Sequence, residues 1–218
     1  ILSVAILLRK KIILFGSGIG PFSYNKNSFL LRFVFKNITT PLLRDKNSCE
    51  IYRKITGKDS ILTPDPVMLL SQNKNINNYA DNGKKGKKKV IAFSLREWHD
   101  HNAIINNSNF YNKFIDTIFH FIKDKSSEYD FQFLIFQNNT VDKMADDLKV
   151  YEDILLKSND LSLKCIHLNT NIKELCNVYN NFDILIGMRL HSLILGSIFD
   201  KKMIAISYEP KVNSFMNE

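Results

Sequence analysis

The sequence predicts an α/β fold built on parallel sheets. Short, almost wholly apolar runs such as Val90–Leu95 and Phe182–Ile186 have the length and composition of buried strands. Between such runs lie longer segments with apolar residues at helical spacing, as in Phe110, Phe114, Ile118 and Phe121. Strand and helix alternate without a break from Val90 to Ser207, which is the pattern of a parallel sheet with helices on its faces.

The chain opens with Ile1–Leu8, an apolar run followed by Arg9-Lys10-Lys11. A secretory leader carries its basic residues before the apolar run, and a spanning helix needs about 20 apolar residues, so neither fits. The run is expected to be a core helix whose upstream part precedes Ile1. The chain also stops at Glu218 just after a fresh motif, so it reads as a fragment.

Lys11–Phe15 is a strand, followed by the glycine loop Gly16-Ser17-Gly18-Ile19-Gly20-Pro21. Phe29–Phe35 reads as a helix and Thr40–Arg44 as a short strand. Ser48 is a natural N-cap for a helix through Ile55, with Gly57 as its stop. Ile61-Leu62 runs into Thr63-Pro64-Asp65-Pro66, whose two prolines exclude a regular element. Ser71–Lys89 is rich in Asn, Lys and Gly and lacks apolar periodicity. These features place a first domain at 1–70, a linker at 71–88 and a second domain at 89–218.

In the second domain, strands are expected at Val90–Leu95, Phe131–Phe136, Cys165–Leu168, Phe182–Ile186 and Met203–Ser207. The intervening helices are Phe110–Ile122, Val141–Leu156, Ile172–Tyr179 and Leu190–Phe199.

At 218 residues, with 44% hydrophobic and 24% charged residues, the chain can bury a substantial core. Its net charge of +8 owes much to Lys84-Lys85-Gly86-Lys87-Lys88-Lys89. No aromatic residue interleaves with these lysines to stack bases, so the run reads as a solvated linker and no nucleic-acid partner is expected. A peripheral contact with anionic lipid stays open. Cys49, Cys165 and Cys176 lack metal-ligand spacing and fit free thiols in a reducing cytosol. His99 and His101 flank Asp100 in a loop, a spacing better suited to solvent than to a metal; His120 reads as core or edge, and His167 as packed.

The chemistry gathers at strand ends, where open α/β sheets bind ligands. Gly187-Met188-Arg189-Leu190-His191-Ser192 joins a strand to a helix. There the helix N-terminus carries partial positive charge, Arg189 adds a cation and His191 a proton carrier, which together suit an anion. Arg96, in Ser94-Leu95-Arg96, occupies the equivalent place after another strand; a surface pair with Glu97 is the alternative. Arg44, in Leu43-Arg44-Asp45, either pins a loop through Asp45 or points a fork of donors into a cleft. Gly16, Gly18 and Gly20 allow a tight turn or a close ligand approach, though the third glycine is one residue early for a dinucleotide fingerprint. Lys211, after the last strand, is either a surface lysine or part of the same surface.

Taken together these motifs, with Thr63-Pro64-Asp65-Pro66 and Ile206-Ser207-Tyr208-Glu209-Pro210-Lys211-Val212, resemble the polysaccharide pyruvyl transferase family. The resemblance implies two Rossmann-like halves in a GT-B-like arrangement, the first half truncated here. Family members begin with a strand and a glycine-rich loop that would precede Ile1. The resemblance also implies transfer of a pyruvyl group from phosphoenolpyruvate to a sugar, usually as a ketal bridging two hydroxyls. The acceptor would be a cell-surface glycan or its lipid-linked precursor, met in the cytoplasm or at the inner face of the membrane. Phosphoenolpyruvate is then a co-substrate, and neither cofactor nor metal is expected. Arg44, Arg96, Arg189, Leu190 and Lys211 would bind the donor, His191 would be the catalytic acid/base, and Gly16, Gly18 and Gly20 would belong to the loop or acceptor side. The rival readings are a nucleotide-sugar glycosyltransferase of similar architecture, a non-catalytic basic binding module, and an inactive truncated relative.

Overall fold

A computed structural model describes residues 1–20, 28–72, 88–97, 107–136, 147–158, 161–168 and 171–217. The chain divides into two compact units, Ile1–Leu69 with Glu209–Glu218, and Leu70–Tyr208. The last ten residues therefore group with the first unit, which departs from the division at 89–218 expected from the sequence. Residues 73–87, most of the expected linker, lie outside the described residues.

The first unit holds a parallel three-stranded sheet of β1 (Ile13–Ser17), β2 (Thr40–Leu43) and β3 (Ile61–Leu62), in that order. Its helices are α1 (Leu2–Leu7), α2 (Ser28–Lys36) and α3 (Lys46–Thr56), and a 3₁₀ turn follows β3 at Pro66–Gln72. The core is formed by Ile12, Ile19, Phe35, Ile38, Leu43 and Tyr52. α1 is not the core helix expected: none of its residues is fully buried, and only Ala5 and Ile6 pack against this core. Six residues give too few turns to bury a whole face.

The second unit is a five-stranded parallel sheet. Its strands are β4 (Lys89–Ser94), β5 (Tyr129–Ile135), β6 (Lys164–His167), β7 (Ile184–Gly187) and β8 (Lys202–Ala205). They are joined by α4 (Asn107–Lys125), α5 (Asp147–Leu155), α6 (Ile172–Asn180) and α7 (Leu190–Ile198). Alternation within the strands sorts the faces. Ile91, Phe93, Phe131, Phe133, Ile135 and Ile186 meet Ile115, Ile118 and Ile122 of α4 and Val150 and Ile154 of α5 in one cluster. Phe93 and Phe133 are completely enclosed there, each worth about 1.5–3 kcal/mol of apolar burial. The opposite face takes α7, where Leu185 and Met203 crowd the position of Gly196. Glu209 then leads into α8 (Pro210–Met216), a helix the sequence reading did not anticipate, opened by proline at a first-turn position where its missing N–H costs nothing.

The strand order β6-β5-β4-β7-β8 reverses direction at β4. The chain builds outward from β4 through β5 to β6, then returns to lay β7 on the other side of β4. Ligands in open α/β sheets bind outside the carboxyl ends of the strands flanking such a reversal, here β4 and β7.

Candidate active site

Arg96 lies two residues beyond β4, and Arg189 two residues beyond β7. The register pairs Ser94 with Gly187, and the Met188 N–H donates to the Ser94 carbonyl at 2.8 Å, holding the two ends side by side. The Ile206 N–H donates to the Gly187 carbonyl at 2.9 Å, which brings the end of β8 and Tyr208 to the same edge.

Gly187 is what lets α7 start directly over the strand end. A Cβ there would stand 2.9 Å from Ser192 Oγ and 3.0 Å from Leu193 Cδ2. Ser192 is buried, and its hydroxyl donates to the Arg189 carbonyl at 2.7 Å, closing the first turn. Leu190 is buried, whereas His191 at the second helical position is exposed. The first N–H groups of any helix lack acceptors inside it, so this end carries partial positive charge.

Arg189 caps α7 with extended backbone, and its side chain meets Asp147 at the start of α5. Nε lies 2.8 and 2.9 Å from the two carboxylate oxygens, and Nη2 lies 2.5 Å from Oδ1. Asp147 is fully buried and also accepts the Phe136 N–H at 2.9 Å. Arg96 donates from Nη1 to the Tyr208 hydroxyl at 3.1 Å, its guanidinium carbon 5.4 Å from that ring's centroid. With Tyr111, Phe114 and Met188 it lines a cavity of about 180 Å³. Glu97 is buried, and its carboxylate is ion-paired with Lys149 of α5, while Arg96 Nε donates to the Glu97 carbonyl at 3.4 Å. Tyr111 donates to Asp153 Oδ2 at 2.7 Å, and burial together with that carboxylate pushes its phenol far above the ordinary range.

The remaining candidates gather in the first unit. Gly18, Gly20, Arg44, Ser48, Glu209 and Lys211 line a cavity of about 360 Å³. Asp45, not Ser48, is the N-cap of α3: its carboxylate accepts the Ser48 N–H at 2.7 Å. Ser48 Oγ instead accepts the Ile19 N–H at 2.8 Å and ties the glycine loop to α3. Gly57 ends α3 in the left-handed conformation, as expected. Arg44 donates from Nη1 to Asp65 Oδ2 at 3.0 Å, and its Nε lies 3.8 Å from Asp45 Oδ2. The Thr63-Pro64-Asp65-Pro66 segment thus anchors Arg44. A Cβ on Gly18 would stand 2.9 Å from Arg44 Nη2, so the absent side chain makes room for the guanidinium. Gly16 is outside this cavity; its φ is +59°, and a Cβ there would run into the Pro66 ring. Lys211 is ion-paired with Glu209.

The structure therefore collects the predicted residues in two sets. Gly18, Gly20, Arg44 and Lys211 share the first unit's cavity, while Arg96, Arg189, Leu190 and His191 share the carboxyl edge of the second sheet. Lys211 was expected on that second edge and groups with the first unit instead. His167 is exposed rather than packed, and His120 is exposed on α4 rather than in the core. His99, His101 and Lys84 to Lys87 lie outside the described residues. Among the described residues no three His, Cys, Asp or Glu side chains cluster to hold a metal ion, and no helix is long and apolar enough to cross a membrane. Sequence reasoning missed Asp147 and Tyr208 as partners of the two arginines.

No curated protein matches the chain in sequence. Among solved structures, a Listeria monocytogenes protein assigned as a UDP-N-acetylglucosamine 2-epimerase superposes with a TM-score of 0.60 at 10% identity, over 99% of this chain and 56% of that one. A Neisseria meningitidis UDP-GlcNAc 2-epimerase, solved bound to UDP-GlcNAc, gives 0.55 at 13% identity, over 97% and 57%. The chain thus spans a little over half the length of these structures. At such identities the likeness concerns architecture, and it agrees with the GT-B-like α/β fold with parallel sheets. The polysaccharide pyruvyl transferase family matches from residue 1 to residue 210, across both sets of candidate residues except Lys211, and the chain belongs to that family.

Proposed function

We propose that this protein transfers the pyruvyl group of phosphoenolpyruvate to a sugar of a cell-surface glycan or its lipid-linked precursor, forming a pyruvate ketal. The observation that carries this reading is the pairing of strand ends. Arg96 after β4 and Arg189-Leu190-His191 after β7 flank the reversal of the sheet in a chain of this family. Phosphoenolpyruvate carries a carboxylate and a phosphate, and two arginines with a helix N-terminus offer the fixed positive charge it needs.

In this mechanism C3 of the enol gains a proton and C2 becomes electrophilic. One sugar hydroxyl attacks C2 and loses its proton, and His191 is the group that moves protons at this step. The bond from C2 to the phosphate oxygen then breaks, inorganic phosphate leaves, and a second hydroxyl closes the ketal. Of the two hydroxyl protons, one balances the proton gained at C3 and the other the departing phosphate. The reaction proceeds in the cytoplasm, on acceptors presented at the inner face of the membrane.

The test is to incubate the full-length protein with phosphoenolpyruvate and a panel of lipid-linked sugars. Phosphate release matched by a pyruvyl mass increment on the glycan is the expected result. Absence of both, in a preparation that also fails to bind phosphoenolpyruvate, ends the reading.

A further inference from the structure

We infer that Asp147 is the positioning residue for Arg189, orienting its guanidinium for the donor anion. The inference rests on the donor reading of Arg189 given above and adds a residue to it. Its basis is geometric. Both Asp147 carboxylate oxygens contact Arg189 Nε, and one also contacts Nη2, so a two-sided contact fixes the plane of the guanidinium. The carboxylate is itself immobile: it is fully buried and accepts the Phe136 N–H. That N–H lies just beyond β5, so Asp147 ties the end of β5 to the turn after β7.

Two facts separate this arrangement from an ordinary surface ion pair. A buried carboxylate is retained at a desolvation cost that apolar packing would avoid. And Arg189 sits at the N-cap of α7, where Ser192 fixes its carbonyl and Gly187 fixes the approach of the helix, so backbone and side chain are both held. α5 braces the same edge again through the Lys149–Glu97 pair, directly after Arg96. A long, flexible arginine side chain would otherwise lose rotamer freedom on each binding event; holding it in place beforehand removes that cost.

The experiment titrates phosphoenolpyruvate into the whole protein by calorimetry, for the wild type, Asp147→Asn, Arg189→Ala, the double variant and Arg189→Lys, with melting temperatures recorded alongside. Asp147→Asn keeps an acceptor for Phe136 but loses the charged two-oxygen grip. It is expected to weaken donor binding roughly ten- to a hundredfold. The double variant is expected to bind no worse than Arg189→Ala alone, because a positioning residue acts only through the group it positions. A merely structural aspartate would instead lower the melting temperature and weaken binding additively. Arg189→Lys covers the case in which Asp147→Asn fails to fold. Lysine keeps the charge but cannot accept the two-sided orientation, so it should bind nearly as poorly as alanine. Unchanged or tighter binding by Asp147→Asn, or wild-type binding by Arg189→Lys, overturns the inference while leaving the donor reading intact. Wild-type binding by Arg189→Ala removes the donor role of Arg189, and this inference with it.

Discussion

The cations of the two units are held differently. In the first unit Arg44 faces Asp65 and Asp45, and Lys211 faces Glu209, so each positive charge in the cavity has a carboxylate against it. In the second unit Arg189 also faces a carboxylate, but Arg96 stacks on and donates to a neutral tyrosine. A guanidinium paired with a carboxylate has part of its field cancelled. In the proposed function the second unit takes the donor anion and the first the hydroxyl-rich acceptor.

The largest expected effect lies with the proton carrier. His191→Ala should lower pyruvyl transfer by about 10²- to 10⁴-fold without altering the circular dichroism spectrum. Transfer at the wild-type rate would remove His191 from the chemistry. Next come the arginines. Arg96→Ala should raise the dissociation constant for phosphoenolpyruvate by roughly 10- to 100-fold, and Arg44→Ala by only a few-fold. Equal losses would erase the distinction between the units.

The glycines sharpen the comparison further. Gly187→Ala pushes on Ser192 and Leu193 inside a closed turn and should cost about 1–3 kcal/mol in chemical denaturation. Gly18→Ala displaces only the tip of the Arg44 side chain and should cost less than about 1 kcal/mol. Comparable losses at the two sites would show the glycine loop to be as tightly built as the β7–α7 turn.

The smallest effect is at alkaline pH. Burial and Asp153 keep the Tyr111 phenol protonated in the folded protein. Above about pH 10 the unfolded chain releases that proton and the folded one does not, so stability falls as pH rises further. Tyr111→Phe should flatten that decline, which a series of denaturation curves would reveal.

Much of this was legible in the sequence because it depends on local pattern. Apolar runs located every strand of the second sheet, and the glycine after α3 marked its end. The placement of Arg189-Leu190-His191 was legible for the same reason, since a strand end running into a helix is a local signal. What escaped depends on tertiary partners. Ser48 and Asp45 are both good caps by composition, and only the approach of Ile19 decides that Ser48 serves the loop and Asp45 the helix. Asp147 looked like one acid among several in a helix expected at 141–156; its role requires the return of β7 beside β4. His167 looked packed because it sits in a strand, but β6 is at the edge of its sheet.

The grouping of the last ten residues with the first unit bears on how the protein is made. The polypeptide leaves the first unit near Leu69 and re-enters it at Glu209. During synthesis, then, the first unit stays open-ended until the entire second sheet has been translated, and the cavity holding Arg44 gains Lys211 last of all. A ribosome-bound chain halted before Glu209 would carry both sheets complete, with the first unit still lacking α8.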